Sequence, residues 1–338
     1  MDAGIAGKMI SASPRRPKVS VVIPTKNGGS LFRKVLTSVL AQETNWPYEV
    51  IVVDSGSKDE TVPIIESFPE VKLIRISAEE FQHGRTRNLA IAHAKGEYIA
   101  VITQDALPYD DLWLAGLVDA IEQTPEIAGV FGRHIAHTDA SVFTRQEIDH
   151  HFLNFESEPV VWLQDCTRYE RDPGYRQKLY FFSNNNALIR RSIWEQYPYP
   201  EIDFSEDQAW ARSIIEAGFK KAYAQGSVVY HSHNYGLFER FQRSFDESRA
   251  LEALFRYNDA KGVTVLLRRW LGLTLRDIRT LRIARAKGKG IRMLDVLKMP
   301  IDNLMRVAGG WLGSRTDLHT PCLVALCSRD QKLKRVKA

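Results

Sequence analysis

Cysteine is scarce in this sequence: Cys166, Cys322 and Cys327 are the only three among 338 residues, an odd number with no metal-ligand spacing. That pattern excludes a disulfide-built secreted scaffold and suits a reducing cytoplasm. Long apolar runs are missing too, and no stretch approaches the roughly 20 apolar residues that a spanning helix needs. The opening MDAGIAGKMISASPRRPK holds no continuous apolar segment, so residues 1–17 read as a loose leader and not as a secretory signal. Internal repeats and low-complexity tracts are absent. The first glycine-containing turn, PTKNGGS, lacks the G-x-G-x-x-G spacing that lets a backbone approach a dinucleotide pyrophosphate. A nicotinamide dehydrogenase is disfavoured on that ground, although Asp54 at the end of a second strand would suit a ribose.

What is present is an ordinary globular composition, 44% hydrophobic and 26% charged. The net charge of +5 is unevenly placed. From Lys261 to Ala338 there are about 18 Lys and Arg against about 5 Asp and Glu, which leaves a mildly acidic body and a strongly basic tail. A tail of that kind suits an anionic surface.

Short β-branched runs mark the strands. KVSVVIPT, EVIVVD, KLIRI and EYIAVIT alternate with segments of helical period, the first carried by Leu31, Val35, Leu36, Val39 and Leu40. Four strands alternating with three helices predict an α/β fold with a parallel sheet covered on both faces. Beyond Asp110 the spacing predicts a helix near 112–123 and a strand AGVFGRHI. The segment 140–177 has weak periodicity. After it come LYFFSNNNALIRRSIWEQY, an acidic-start helix SEDQAWARSIIEAG and a strand KAYAQGSVVYHSH. After Asn234 the chain reads as helical, basic and amphipathic.

In open parallel sheets, ligands bind outside the carboxyl ends of the strands. Here those ends carry Thr25, Asp54 and the Gln104-Asp105 pair. The runs VVIPTKNGG, VVDSGSKDET, HGRTRNLAIAHAKGEYIAVITQDA and SEDQAWA, in this order over roughly Lys18 to Asn234, resemble the inverting GT-A glycosyltransferases of family 2. FQHGRTRN with TQDALP, EDQAWA and VVYHSHNY is similar more narrowly to the bacterial rhamnosyltransferase subgroup, whose donor is dTDP-L-rhamnose.

The resemblance implies a Rossmann-like, mostly parallel sheet flanked by helices and a divalent metal, Mg²⁺ or Mn²⁺. Asp105 would serve that metal, because a cation held by carboxylate oxygen neutralises a departing diphosphate. The family's usual Asp-X-Asp is here TQD, with only the last acid kept. His231, or His233, matches the late histidine ligand. Thr25, Asp54, Gln104 and Arg87 are implied on the nucleotide-sugar side, with Arg85 the weaker candidate. Asp207 matches the base that takes a proton from the acceptor hydroxyl. Glu206 and Trp210 would touch the acceptor, against the plainer readings of a helix-dipole acid and a core tryptophan.

The expected domains are a catalytic unit over 18–235, with a nucleotide-sugar half 18–110 and an acceptor half 111–235, and a helical basic region 236–338. In that last region Leu267, Leu271, Leu275, Ile278 and Leu281 form one series, and Ile291, Leu294, Leu297, Ile301 and Leu304 another, bent at Pro300. Basic amphipathic helices of this kind can lie in a membrane interface, and the rival reading is a cap packed on the catalytic unit. No nucleic-acid motif accompanies the charge. The expected activity is transfer of L-rhamnose to a glycan or lipid-linked acceptor in surface polysaccharide synthesis, on the cytoplasmic face of the membrane. The competing class is a non-catalytic sugar-nucleotide-binding or scaffold subunit. The reduced TQD supports that class, and Asp105, Asp207 and His231 together argue against it.

Overall fold

A computed structural model describes residues 16–257, 262–288 and 290–330. The leader expected over 1–17 therefore lies almost wholly outside the described residues, as do Lys261, Lys289 and residues 331–338 of the basic tail.

The strands are β1 (Val19–Thr25), β2 (Tyr48–Asp54), β3 (Val71–Arg75), β4 (Tyr98–Ile102), β5 (Leu107–Pro108), β6 (Ile127–Ile135), β7 (Val160–Val161), β8 (Asn186–Arg190) and β9 (Lys220–Tyr230). They make one sheet in the order β3-β2-β1-β4-β8-β6-β9-β5, with β7 also on β9. β1 to β4 pair in parallel, β8 enters antiparallel between β4 and β6, and β6 runs parallel to β9. The carboxyl ends of β1, β2, β4, β6 and β9 thus share one edge. The chain enters β8 at that same edge.

The central strands are almost continuous apolar runs because both faces are covered. On one face Phe32, Val35 and Leu36 pack with Trp113 and Leu117 of the helices Gly29–Leu40 and Trp113–Ile121. On the other, Ala90 and Ile91 pack with Trp210 and Ile214 of the helices His83–Ala92 and Glu206–Glu216. The weakly periodic 140–177 segment holds three helices, Val142–Glu156, Cys166–Arg171 and Pro173–Tyr180. Only Phe152 and Phe155 of the longest are buried, too few to print a helical period on the sequence.

The helices Leu237–Phe255, Val263–Ala286 and Met293–Ser314 follow. Gly309 and Gly313, one turn apart, let Met293–Ser314 lie against the backbone of Leu237–Phe255. A Cβ at either position would stand 2.2 Å from the Phe241 carbonyl oxygen or 2.3 Å from that of Phe245. The Met293–Ser314 helix runs through Pro300, whose carbonyl accepts from Trp270 Nε1 at 2.8 Å. That contact and the one between Asn303 Nδ2 and Asp277 mark the seam with Val263–Ala286. On the Val263–Ala286 helix Leu267, Leu271 and Leu275 are 48%, 52% and 56% exposed, and on the Met293–Ser314 helix Leu294, Leu297 and Ile301 are exposed too. Leu281 is buried and belongs to the packed side. Among the described residues, no helix is long and apolar enough to cross a membrane.

Gly313→Ala should force the two helices apart. The expected cost is about 1–3 kcal/mol, the usual range for overpacking. It is read from urea unfolding, and an unchanged midpoint would mean that the contact is slack.

Candidate functional site

The shared sheet edge opens into a crevice of about 440 Å³ with two chemically different ends. At one end Asp105, three residues past β4, meets the His231-Ser232-His233 run that leaves β9. His231 Nε2 lies 3.7 Å from one carboxylate oxygen of Asp105, and His233 Nε2 lies 3.8 Å from the other. The backbone fixes this approach: His231 N–H donates to the Ile135 carbonyl, and the Ser232 hydroxyl accepts from His137 N–H. Burial lowers the His231 pKa to about 4 against the pull of Asp105, so its ring is neutral and has a free lone pair. His233 is lowered in the same way. Burial opposes charge on Asp105, yet the two histidines and the Thr103 hydroxyl hold its pKa below the ordinary value.

One carboxylate oxygen and two imidazole nitrogens within 4.8 Å of one another fit a single divalent cation. Two nitrogen donors suit a first-row transition ion better than Mg²⁺, which prefers oxygen. Sequence left His231 and His233 as alternatives; the structure brings both to Asp105.

At the other end, Asp207 stands in the first turn of Glu206–Glu216. Its oxygens accept from Asn184 N–H at 3.2 Å and Gln208 N–H at 2.8 Å. Glu206 turns inward and pairs with Arg87 at 2.9 Å, the two side chains being 6% and 5% exposed. Asn184 also donates to Glu206 and accepts from the Tyr199 hydroxyl, so one amide organises both acids. Burial first, and then the charge of Glu206, push the Asp207 pKa up to about 7. The preceding Ser205 has φ 59°, a left-handed conformation uncommon for a side-chain-bearing residue. It opens the helix Glu206–Glu216, whose turn of about 100° per residue points the two adjacent acids apart.

The residues expected on the nucleotide side are laced together. Gln104 Oε1 accepts from Thr25 Oγ1 at 2.7 Å and Lys26 N–H at 2.8 Å, while its Nε2 donates to the Lys26 carbonyl. The middle residue of TQD therefore clips the loop after β1, while Thr103 stands in the place of the usual first acid. Asp54 is buried and caps its own turn, accepting from Gly56 N–H and Ser57 N–H at 3.0 Å.

Several sequence expectations need correction. Trp210 is 0% exposed, its Nε1 donating to the Tyr197 carbonyl and its ring packed on Phe182 and Tyr199, so no acceptor can stack on it. Glu206 lines the crevice with its carboxylate engaged by Arg87 and Asn184. Arg87 lines the crevice with its charge engaged by Glu206. Arg85 makes an exposed pair with Glu201. Sequence reasoning missed Asn184 and Tyr199, although the polar run SNNN beside an apolar strand was a signal for the first. It also missed Arg243 and Arg329, which reach the crevice from beyond residue 235. Nothing in their local sequence marks them.

Residues 20–197 match the family described as Glycosyl transferase family 2. The O-antigen chain rhamnosyltransferase RfbN of Salmonella typhimurium is 38% identical over 232 residues, covering 68% of this chain and 71% of that protein. The O-antigen chain rhamnosyltransferase WbaN of Salmonella anatum is 32% identical over 233 residues, with the same coverage of 68% and 71%. Among solved structures, the mannosyltransferase PcManGT from Pyrobaculum calidifontis, in complex with GDP-Man and Mn²⁺, gives a TM-score of 0.57 at 19% identity. That match covers 90% of this chain and 88% of PcManGT, and at this identity it is a likeness of fold.

Proposed function

We propose that this chain, which belongs to glycosyl transferase family 2, has the GT-A fold and is a glycosyltransferase, moves L-rhamnose from dTDP-L-rhamnose to a glycan or lipid-linked acceptor in bacterial surface polysaccharide synthesis. The observation that carries the chemistry is the two-ended crevice: a carboxyl poised near neutrality faces a separate cluster of one carboxylate and two neutral imidazoles. The rhamnose donor is supported by the names of RfbN and WbaN.

In this reading Asp207 accepts the proton of the acceptor hydroxyl as that oxygen attacks the sugar carbon from the side opposite the diphosphate. One in-line displacement then inverts the anomeric centre. A base works best with a pKa near the operating pH, which burial and Glu206 provide. Asp105, His231 and His233 would hold a divalent cation, Mn²⁺ being the better match to the donor set. Bound there, the ion supplies Lewis-acid neutralisation of the leaving diphosphate. Thr25, Asp54 and Gln104 form a pre-set wall for the nucleotide.

We also assign the exposed leucine face to an anionic membrane surface, which places the enzyme peripherally on the cytoplasmic side. Arg268, Arg279 and Arg282 are exposed on the Val263–Ala286 helix, whose single acid, Asp277, is buried. An apolar ridge flanked by cations is the form an interfacial helix takes.

Asp207→Asn should bind donor normally and lose about 10²–10⁴-fold in turnover, the usual worth of a general base. In the wild type kcat/KM should rise with pH and level off above about 7, since the ionised carboxylate is the active form. Wild-type turnover in the variant would remove Asp207 from the reaction.

Mn²⁺ binding, followed by calorimetry, should be lost in Asp105→Ala and weakened at least about tenfold in His231→Ala and in His233→Ala. Equal dTDP affinity in EDTA and in Mn²⁺ would show that the cluster serves no metal.

Leu271→Glu with Leu297→Glu should weaken sedimentation with anionic liposomes while the melting temperature holds, because both side chains already face solvent. If the wild-type protein ignores such liposomes at low salt, the membrane assignment fails.

A further inference from the structure

The helical region beyond residue 235 reaches the crevice with cations whose charge nothing in the fold requires. Arg243 projects from the Leu237–Phe255 helix into the gap between the Asp105 cluster and Asp207, its guanidinium 4.5 Å over the Phe204 ring. It forms no ion pair among the described residues, in a chain whose other half-buried arginines mostly have one. Its field reaches His83 on one wall and His231 and His233 on the other, which places the charge across the middle of the crevice.

Arg329 stands beside it. The chain is brought there by Asp246, whose carboxylate accepts from Arg329 N–H at 2.9 Å and Asp330 N–H at 3.1 Å, and by Gln242, which donates to the Leu326 carbonyl. The Arg329 guanidinium packs over Tyr235 at 5.5 Å and makes only a long 3.7 Å contact with Glu239.

We propose that Arg243 and Arg329 bind the diphosphate of the nucleotide sugar, on the wall facing Asp105, His231 and His233. The proposal rests on the donor being a nucleoside diphosphate sugar, as argued above. A planar guanidinium presents several fixed N–H donors and keeps its charge at any working pH, so it matches phosphate oxygens with little ordering cost. The stack on Phe204 holds Arg243 extended before ligand arrives. As the sugar–phosphate bond breaks, the bridging oxygen gains charge, and the two guanidinium charges stabilise it more than they stabilise the intact donor. The helical region then completes the donor site from its inner side.

The test compares dTDP with dTMP by calorimetry in Mn²⁺, using full-length protein. Arg243→Met keeps an apolar stem on Phe204 and removes the charge; Arg329→Met does the same in the last described segment. Charge-assisted hydrogen bonds of about 1.5–3 kcal/mol predict a loss of roughly 10- to 100-fold for dTDP, with dTMP changed by less than about twofold. Arg243→Lys should recover part of the loss. Equal losses for both nucleotides, or no loss in either Met variant, would overturn the proposal, and Arg329→Met still decides it if Arg243→Met melts early. If the wild type instead prefers UDP over dTDP, the rhamnose-donor reading fails. The UDP to UMP ratio in the variants then judges the arginines.

Discussion

Arg87 and Glu206 share a buried ion pair between the middle of one helix and the start of another, and the Asp207 end of the crevice depends on it. Leaving either partner alone would strand a charge away from water, at a cost of about 3–5 kcal/mol. The pair therefore keeps Glu206 ionised, and its pKa lies below the ordinary value although burial opposes the charge. A permanent negative charge next to Asp207 then resists a second one, which is how two adjacent acids come to differ. Asn184 and Tyr199 fix the distance between them. The first turn of their helix fixes their direction.

The second constraint is the close approach at Gly309 and Gly313. It sets how closely the Met293–Ser314 helix packs on the Leu237–Phe255 helix, from which Arg243 reaches the crevice. The same helices have two faces with different work. One face carries Arg243 toward the crevice, while another leaves leucines in solvent.

Much of the sheet was legible in the sequence because parallel strands buried on both faces must be continuous apolar runs, as in β1 and β4. Asp105 and Asp207 were legible because each interrupts a regular pattern with an acid at an element's end. What neighbours do to a side chain was not legible. Trp210 one turn after Asp207 looks the same in one dimension whether it faces a ligand or the core, and only the packing on Phe182 decides it. Gln104 reads as the indifferent middle of a reduced acidic motif until its bonds to Thr25 and Lys26 show that it ties down a loop. Arg243 and Arg329 lie more than a hundred residues from Asp105 and carry no local signature. They were hidden in a tail whose average charge invited a single explanation.

Asp246 holding the backbone of Arg329 and Asp330 has a consequence for the order in which the molecule is made. Chains emerge from the ribosome N-terminal part first. The sheet, Asp105, Asp207 and both histidines are all synthesised well before residue 329, and so are the exposed leucines of the Val263–Ala286 helix. The exposed leucine face is thus available while the last wall of the crevice is still missing. The crevice is therefore the part of the molecule completed last.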